Sequence, residues 1–311
     1  MAILKSGKNS AGSTIYVTLE PCSHFGKTSP CADLIIASKI SRVVIAVQDP
    51  DLKVNGDGIK KLQDAGIIVD VGLMENQAKK INRGFFSVKN SNRPFITLKL
   101  AISSDGKIAR KDNEDRWISN VQSRNYAHLI RAKNDAILVG SKTVASDDPM
   151  LDCRIAGLEQ YSPKRIILSS KLNINPNKKI IQSASTIPTY IATSNSEEKF
   201  AEFGVKTIHF KENDLNDFVQ KLPQLGINNL LIEGGSVVSS EFLKAGLIDE
   251  LILIKSPKII GSDGIEAIAG FDVDKIEELG FKIEKIREFG SDLVTIYNFV
   301  GAALVAARNK G

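Results

Sequence analysis

Three cysteines in 311 residues are too few for a disulfide framework and point to a reducing compartment, so a cytoplasmic location is expected. Histidine is equally scarce: His24, His128 and His209 are all there are, and none has Glu two residues on. No apolar run reaches membrane-span length, and Val300 to Ala307 is apolar but short, so no membrane partner is expected. The N-terminus lacks the hydrophobic core of a signal peptide. The net charge of +5 comes without any Lys/Arg cluster interleaved with aromatics. That speaks against nucleic acid and for anionic small molecules. The dinucleotide fingerprint G-x-G-x-x-G is also missing, which disfavours a Rossmann dehydrogenase.

What remains is an ordinary globular composition, 42% apolar and 25% charged, of a length for one large domain or two. Thr14 to Leu19, Arg42 to Val47 and Ile67 to Val71 read as strands. Helical patterns at Ala32 to Ser38 and Gly58 to Ala65 separate them, which predicts a parallel sheet with helices on its faces. This segment, 1–90, begins in mid-pattern and reads as the back half of a domain. Asn90-Ser91-Asn92-Arg93-Pro94 is polar, turn-forming and closed by Pro, the best linker. Strands at Phe95 to Ala101, Ala136 to Val139, Arg165 to Leu168, Thr189 to Ala192, Thr207 to Phe210, Asn229 to Ile232, Glu250 to Lys255 and Leu293 to Phe299 follow. With helices at Arg124 to Ala132, Leu215 to Gln224 and Val238 to Ala245, they make 94–299 a second α/β domain. Residues 300–311 read as a tail.

Pro21-Cys22 is followed by Cys31, a C-x8-C pair inside LEPCSHFGKTSPC. Two thiolates near a strand end and a helix N-terminus suit Zn²⁺, and the helix dipole should lower their pKa. A catalytic zinc takes three protein ligands and a water, and only Cys22 and Cys31 are in evidence. His24 could be a third, but two residues from Cys22 is tight for one tetrahedral centre. Taken alone, the pair fits two reduced structural cysteines as well as a metal site. A Pro-preceded cysteine pair is also the second half of the zinc nucleobase-deaminase pattern, whose first half is His-x-Glu.

Four clusters in the second domain share one theme. Lys99 to Gly106 is a strand breaking into a Ser/Asp/Gly loop. Trp117-Ile118-Ser119 sets the lone Trp beside a hydroxyl. Gly140-Ser141-Lys142-Thr143 is followed by Asp147-Asp148-Pro149, Leu151 and Arg154. Glu233-Gly234-Gly235-Ser236 lies between an apolar strand and a helix, where bare backbone N–H groups suit a phosphate. Trp117 offers a flat face for a nicotinamide or pyrimidine ring, or simply packs. Arg131 and Arg154 could clamp a substrate phosphate. Singly, each cluster is equally a turn, a cap or a solvated face.

Taken in order, these residues resemble the bifunctional deaminase/reductase family of riboflavin biosynthesis. The similarity runs from about residue 1 to 299: TIYVTLEPCSHFGKTSPC with the strand after it, then FITLKLAISSDGKIA, DRWIS, ILVGSKTV, SDDPML and IEGG. The resemblance implies an α/β architecture, a partial cytidine-deaminase-like zinc domain followed by a dihydrofolate-reductase-like domain. It implies two steps, zinc-dependent removal of a pyrimidine amino group, then NADPH-dependent reduction of a ribosyl chain to ribityl with its phosphate retained. The partner is then a phosphorylated ribosylamino-pyrimidine. Carried over by position, Ala101, Trp117, Thr143, Asp147, Ser170, Gly235 and Ser236 match cofactor-side residues. Lys99, Asp115, Arg131, Leu151, Arg154 and Glu233 match substrate-side residues, with Lys99 and Glu233 as the catalytic choices. Cys22 and Cys31 match the zinc thiolates. Asp115 departs from the family, where an uncharged hydroxyl residue is expected.

In this register Met1 falls directly after the family's His-x-Glu. The expectation is a working reductase and negligible deaminase activity. The alternatives are a fragment of a fully bifunctional enzyme, a remnant domain whose exposed strand edges favour a homo-oligomer, and a pterin or folate reductase on the same fold.

Overall fold

A computed structural model describes residues 2–25, 29–51, 54–110, 117–197 and 199–301. Asp115 and the tail beyond residue 301 lie outside the described residues. The chain divides into two compact units, one ending at Asn92 and one starting at Arg93.

The first unit runs α1 (Ala2–Ser6), β1 (Thr14–Val17), α2 (Cys31–Ala37), β2 (Arg42–Ile45), α3 (Asp57–Asp64), β3 (Ile68–Val71), α4 (Glu75–Ile81) and α5 (Arg83–Ser91). The strands pair in parallel in the order β1-β2-β3. Ala32, Ile35, Val43, Ile45 and Leu62 form its core, so the helices cover the sheet through the apolar faces read from the sequence. Gly66, at φ +78, stops the chain after α3, a conformation that costs Gly alone little. Asn90 and Ser91, expected in the linker, are the end of α5, and Asn92 caps it at φ 52.

The second unit runs β4 (Phe95–Ile102), β5 (Lys107–Arg110), α6 (Val121–Ala132), β6 (Ala136–Gly140), α7 (Ser141–Asp147), β7 (Lys164–Leu168), α8 (Lys179–Gln182), β8 (Thr189–Thr193), β9 (Lys206–His209), α9 (Leu215–Lys221), β10 (Asn229–Ile232), α10 (Ser236–Lys244), β11 (Glu250–Lys255), β12 (Gly264–Glu266), β13 (Phe281–Phe289) and β14 (Asp292–Phe299). Nine strands form one sheet, β13-β14-β11-β4-β10-β6-β7-β8-β9. All neighbours from β11 to β9 are parallel, and β14 and β13 add an antiparallel margin. Parallel strands are covered on both faces and read as continuous apolar runs. Ala136–Gly140 is buried at every position. Leu138, Ile166 and Ile232 point into one core, and Ile137, Ile167 and Leu231 into the other. Because β4, β6, β7, β8 and β10 run the same way, their C-terminal ends meet along one side of the sheet. That is where open α/β sheets place their ligand crevice.

Candidate functional site

At those strand ends lies a cleft of about 1230 Å³. β4 contributes Lys99 and Ala101, and the turn after β6 contributes Gly140 to Thr143 and Asp147. Ser170 follows β7, and Glu233 to Ser236 lead from β10 into α10. Every cofactor-side residue expected from the sequence except Trp117 lines this space. Val238 explains two of the glycines. A Cβ at Gly140 would stand 2.9 Å from its Cγ2, and one at Gly234 would stand 2.9 Å from its Cβ. A Cβ at Gly235 would lie 3.3 Å from Thr143 Oγ1. Bare backbone at these positions lets the starts of α7 and α10 converge on the cleft.

Glu233 is the electrostatic hub. Its Oε1 accepts from Arg131 Nε at 2.7 Å and its Oε2 from Arg131 Nη2 at 2.9 Å, a bidentate pair. Lys99 Nζ stands 3.6 Å from Oε2. All three side chains are largely buried, at 11–14% exposure. Burial alone would push the Glu233 carboxyl up. Arg131 and Lys99 together overrule it and hold the group at about 2, so it is anionic across the working range.

Arg131 itself does not line the cleft. It reaches it through Glu233, and Nη1 also donates to Asp152 O at 3.1 Å. Leu151 and Arg154 lie on that same turn. Leu151 is buried with φ 56, and Arg154 extends a largely exposed side chain whose Nε is 3.4 Å from Asp152 Oδ1. Trp117 stands apart from the other cofactor-side residues. Its ring is half exposed, carries the Arg124 guanidinium at 4.8 Å, and is not among the cleft-lining residues. The segment before it, with Asp115, lies outside the described residues.

Three participants went unread in the sequence. His128 sits one turn before Arg131 on α6, with Nδ1 3.1 Å from Asp152 O. Asp152 keeps Oδ1 buried without a hydrogen bond. Arg165, fully buried on β7, donates to Met150 O, Ser183 Oγ, Ile187 O and Thr189 Oγ1. Burial lowers its pKa to about 10. A charged residue inside an apolar strand was the available signal at Arg165, and the i, i+3 spacing to Arg131 at His128.

In the first unit, Cys22 and Cys31 come together at the start of α2, where the Cys31 N–H faces Cys22 Sγ at 3.4 Å. The Cys31 thiol is raised, not lowered as the helix position suggested. Partial burial is the main cause, followed by the Cys22 sulfur beside it. Two neighbouring sulfurs resist double ionisation, a penalty that a bound Zn²⁺ would reverse. The pair therefore fits two thiolate positions of a zinc site. Among the described residues no cluster of three His, Cys, Asp or Glu gathers, and His24 is exposed. Glu20, next to Pro21-Cys22, is buried and structural. Its carboxylate accepts the backbone N–H groups of Asp49, Gly56, Gly58 and Ile59. A Cβ at Gly58 would lie 1.9 Å from Pro21 O, so α3 seats directly against the Pro-Cys turn.

Residues 94–295 match the family model described as the RibD C-terminal domain. Residues 1–47 match the cytidine and deoxycytidylate deaminase zinc-binding region. The Riboflavin biosynthesis protein RibD of Aquifex aeolicus is 41% identical over 281 residues, covering 89% of this chain and 78% of that protein. RibD of Acinetobacter baumannii superposes with a TM-score of 0.88 at 31% identity, over 96% of this chain and 84% of that one. A diaminohydroxyphosphoribosylaminopyrimidine deaminase/5-amino-6-(5-phosphoribosylamino)uracil reductase from Thermotoga maritima gives 0.86 at 32% identity, over 96% and 83%. No helix among the described residues is long and apolar enough to cross a membrane. With a deaminase-type cysteine turn leading and a charged cleft at the ends of a reductase sheet following, the chain belongs to the RibD family, the bifunctional deaminase/reductases of riboflavin biosynthesis.

Proposed function

We propose that this chain reduces the ribosyl group of 5-amino-6-(5-phosphoribosylamino)uracil to ribityl with NADPH, retaining the 5'-phosphate. The observation that carries this reading is the pair Lys99 and Glu233 lining the cleft, with Arg131 bound to Glu233 behind it. At about 1230 Å³ the cleft exceeds the roughly 300–1,000 Å³ of a single small-ligand pocket, which supports a reading with two ligands bound in it. NADPH, when bound, would supply the hydride that reduces the sugar carbon.

The chain's residues supply position and charge. Thr143, Asp147, Ser170, Gly235 and Ser236 run along the cofactor, with the backbone N–H groups at the start of α10 available to its phosphates. Lys99 holds a cationic donor at the sugar oxygen that takes up charge as the ring opens. Glu233 keeps Lys99 and Arg131 in place and accepts from sugar hydroxyls. Arg154 takes the substrate phosphate. Holding the two reacting carbons at about 3–3.5 Å is the protein's main contribution. The test is NADPH oxidation with the phosphoribosylamino-uracil against pterin and folate substrates. Turnover with a pterin and none with the uracil would overturn the reading.

Cys22 and Cys31 would hold Zn²⁺, which supplies a Lewis acid for amine hydrolysis. Glu20 is committed to backbone N–H groups and does not stand in for a proton-shuttling carboxylate.

A further inference from the structure

The turn Asp148–Arg154 is conformationally costly. Two of its non-glycine residues, Asp148 and Leu151, have φ of 43 and 56. Such backbone persists only where its surroundings over-determine it. Four contacts do so here. Arg165 Nη1 donates to Met150 O at 3.2 Å and Arg131 Nη1 to Asp152 O at 3.1 Å. Cys153 N–H donates to Ser162 Oγ at 3.0 Å, and Arg154 N–H to His128 Nδ1 at 3.3 Å. Guanidinium and hydroxyl keep their protonation state across the working range, and imidazole does not.

The geometry at Nδ1 is two-sided. Arg154 N–H needs a lone pair there, whereas Asp152 O, 3.1 Å from the same atom, would take a proton. Asp152 O already accepts from Arg131. The neutral tautomer with the proton on Nε2 therefore satisfies the most groups. Protonation of Nδ1 moves its hydrogen bond from Arg154 N–H to Asp152 O and leaves the Arg154 amide without its acceptor.

We propose that His128 is a positioning residue, whose neutral imidazole holds the Asp152–Arg154 turn and so sets Arg154 toward the substrate phosphate. This rests on the reading of Arg154 as a phosphate ligand. The charged neighbours favour the neutral form. Burial pushes the His128 pKa below its ordinary 6.5, Arg131 and Arg154 push it the same way, and the Asp152 carbonyl and Glu233 oppose them. Glu159, on the short turn that also packs against α6, is occupied by the Gly157 N–H. With its folded-state value depressed, the imidazole is neutral at neutral pH, and the clamp is lost as pH falls below 6.5.

The experiment compares wild type, H128N and H128L in the full chain. Asn places an oxygen near the position of Nδ1 and does not titrate; Leu keeps bulk and removes the acceptor. H128L raises KM for the phosphorylated substrate by about three- to tenfold, the scale of one lost hydrogen bond, with kcat little changed. It also speeds amide exchange of the peptide spanning residues 151–154. H128N restores both. The ratio of wild-type to H128N KM, which cancels the substrate's own phosphate ionisation, rises as pH falls below 6.5. Unchanged exchange in H128L, failure of H128N to restore it, or a ratio that falls on acidification overturns the proposal. The last result would make the imidazolium a phosphate ligand. R154A separates the underlying reading: if exchange follows His128 as stated but R154A leaves KM unchanged, the clamp stands and the role of Arg154 fails.

Discussion

Arg131 and Glu233, 102 residues apart in the chain, meet as a two-bond pair at 2.7 and 2.9 Å beneath the cleft. Neither could be buried alone. The carboxylate also faces Lys99, so one negative charge stands between two positive ones.

Glu233→Gln should therefore destabilise the reductase unit and disable it. Removing one member of a largely buried pair costs about 3 kcal/mol, read as a shift of the urea midpoint at constant slope. The double variant R131M/E233L should lose less than the sum of the two single changes, because Lys99 is then the one member of the cluster left without a partner. A loss in the double variant equal to the sum of the two single losses would show that the pair is not coupled.

Glu233 also sets an acid limit. Its folded-state value of about 2 lies below its ordinary 4.5. The stabilisation is present above 4.5 and lost as pH falls toward 2. The wild type should lose stability through that window more steeply than E233Q, measured by denaturant unfolding at stepped pH. Parallel curves would assign acid unfolding to other carboxylates.

Lys99→Met should lower kcat by about 10²–10³-fold while NADPH binding, followed by fluorescence, changes little. Lys99→Arg should recover part of the loss in charge but not in placement. A loss confined to KM would make Lys99 a binding residue only.

Arg165 is a fully buried charged side chain that donates to four separate acceptors. Arg165→Met should cost about 2–4 kcal/mol, because Met150 O, Ser183 Oγ, Ile187 O and Thr189 Oγ1 lose their donor. The loss should appear with raised KM, since Met150 precedes the Leu151–Arg154 turn. Full stability in the variant would mean that water replaces the guanidinium.

Metal binding by the cysteine pair should release protons, because the Cys31 thiol is raised and starts protonated at neutral pH. Zn²⁺ titration should give affinity that strengthens with pH and disappears in C22S and C31S alike. Retention of zinc by either variant would place the metal elsewhere.

Much of the fold was legible as pattern. RVVIAV is rich in β-branched residues and AILV is continuously apolar because both become buried parallel strands. β13, FKIEKIREF, escaped because it is exposed at most positions and rich in Lys, Glu and Arg, and only pairing with β14 makes it a strand. β5 and β12 were too short to show any period. Motif-borne residues such as Gly234, Gly235 and Thr143 were found because a close helix approach demands a residue type. His128, Asp152 and Arg165 were not, because their partners lie far away in the chain.

The sequence by itself determined the family, the register of the cysteine pair, the strands of the parallel sheet and the glycine turns, since each rests on local pattern or on residue type. Only the tertiary structure decided that Glu233 joins Lys99 and Arg131, that Trp117 stacks with Arg124 outside the cleft lining, and that Glu20 is a structural acceptor. It also decided that the Cys31 thiol is raised, by partial burial and by the Cys22 sulfur beside it. The physical reason is that charge, hydrogen bonding and burial depend on distances between chain-remote groups, which no local pattern encodes.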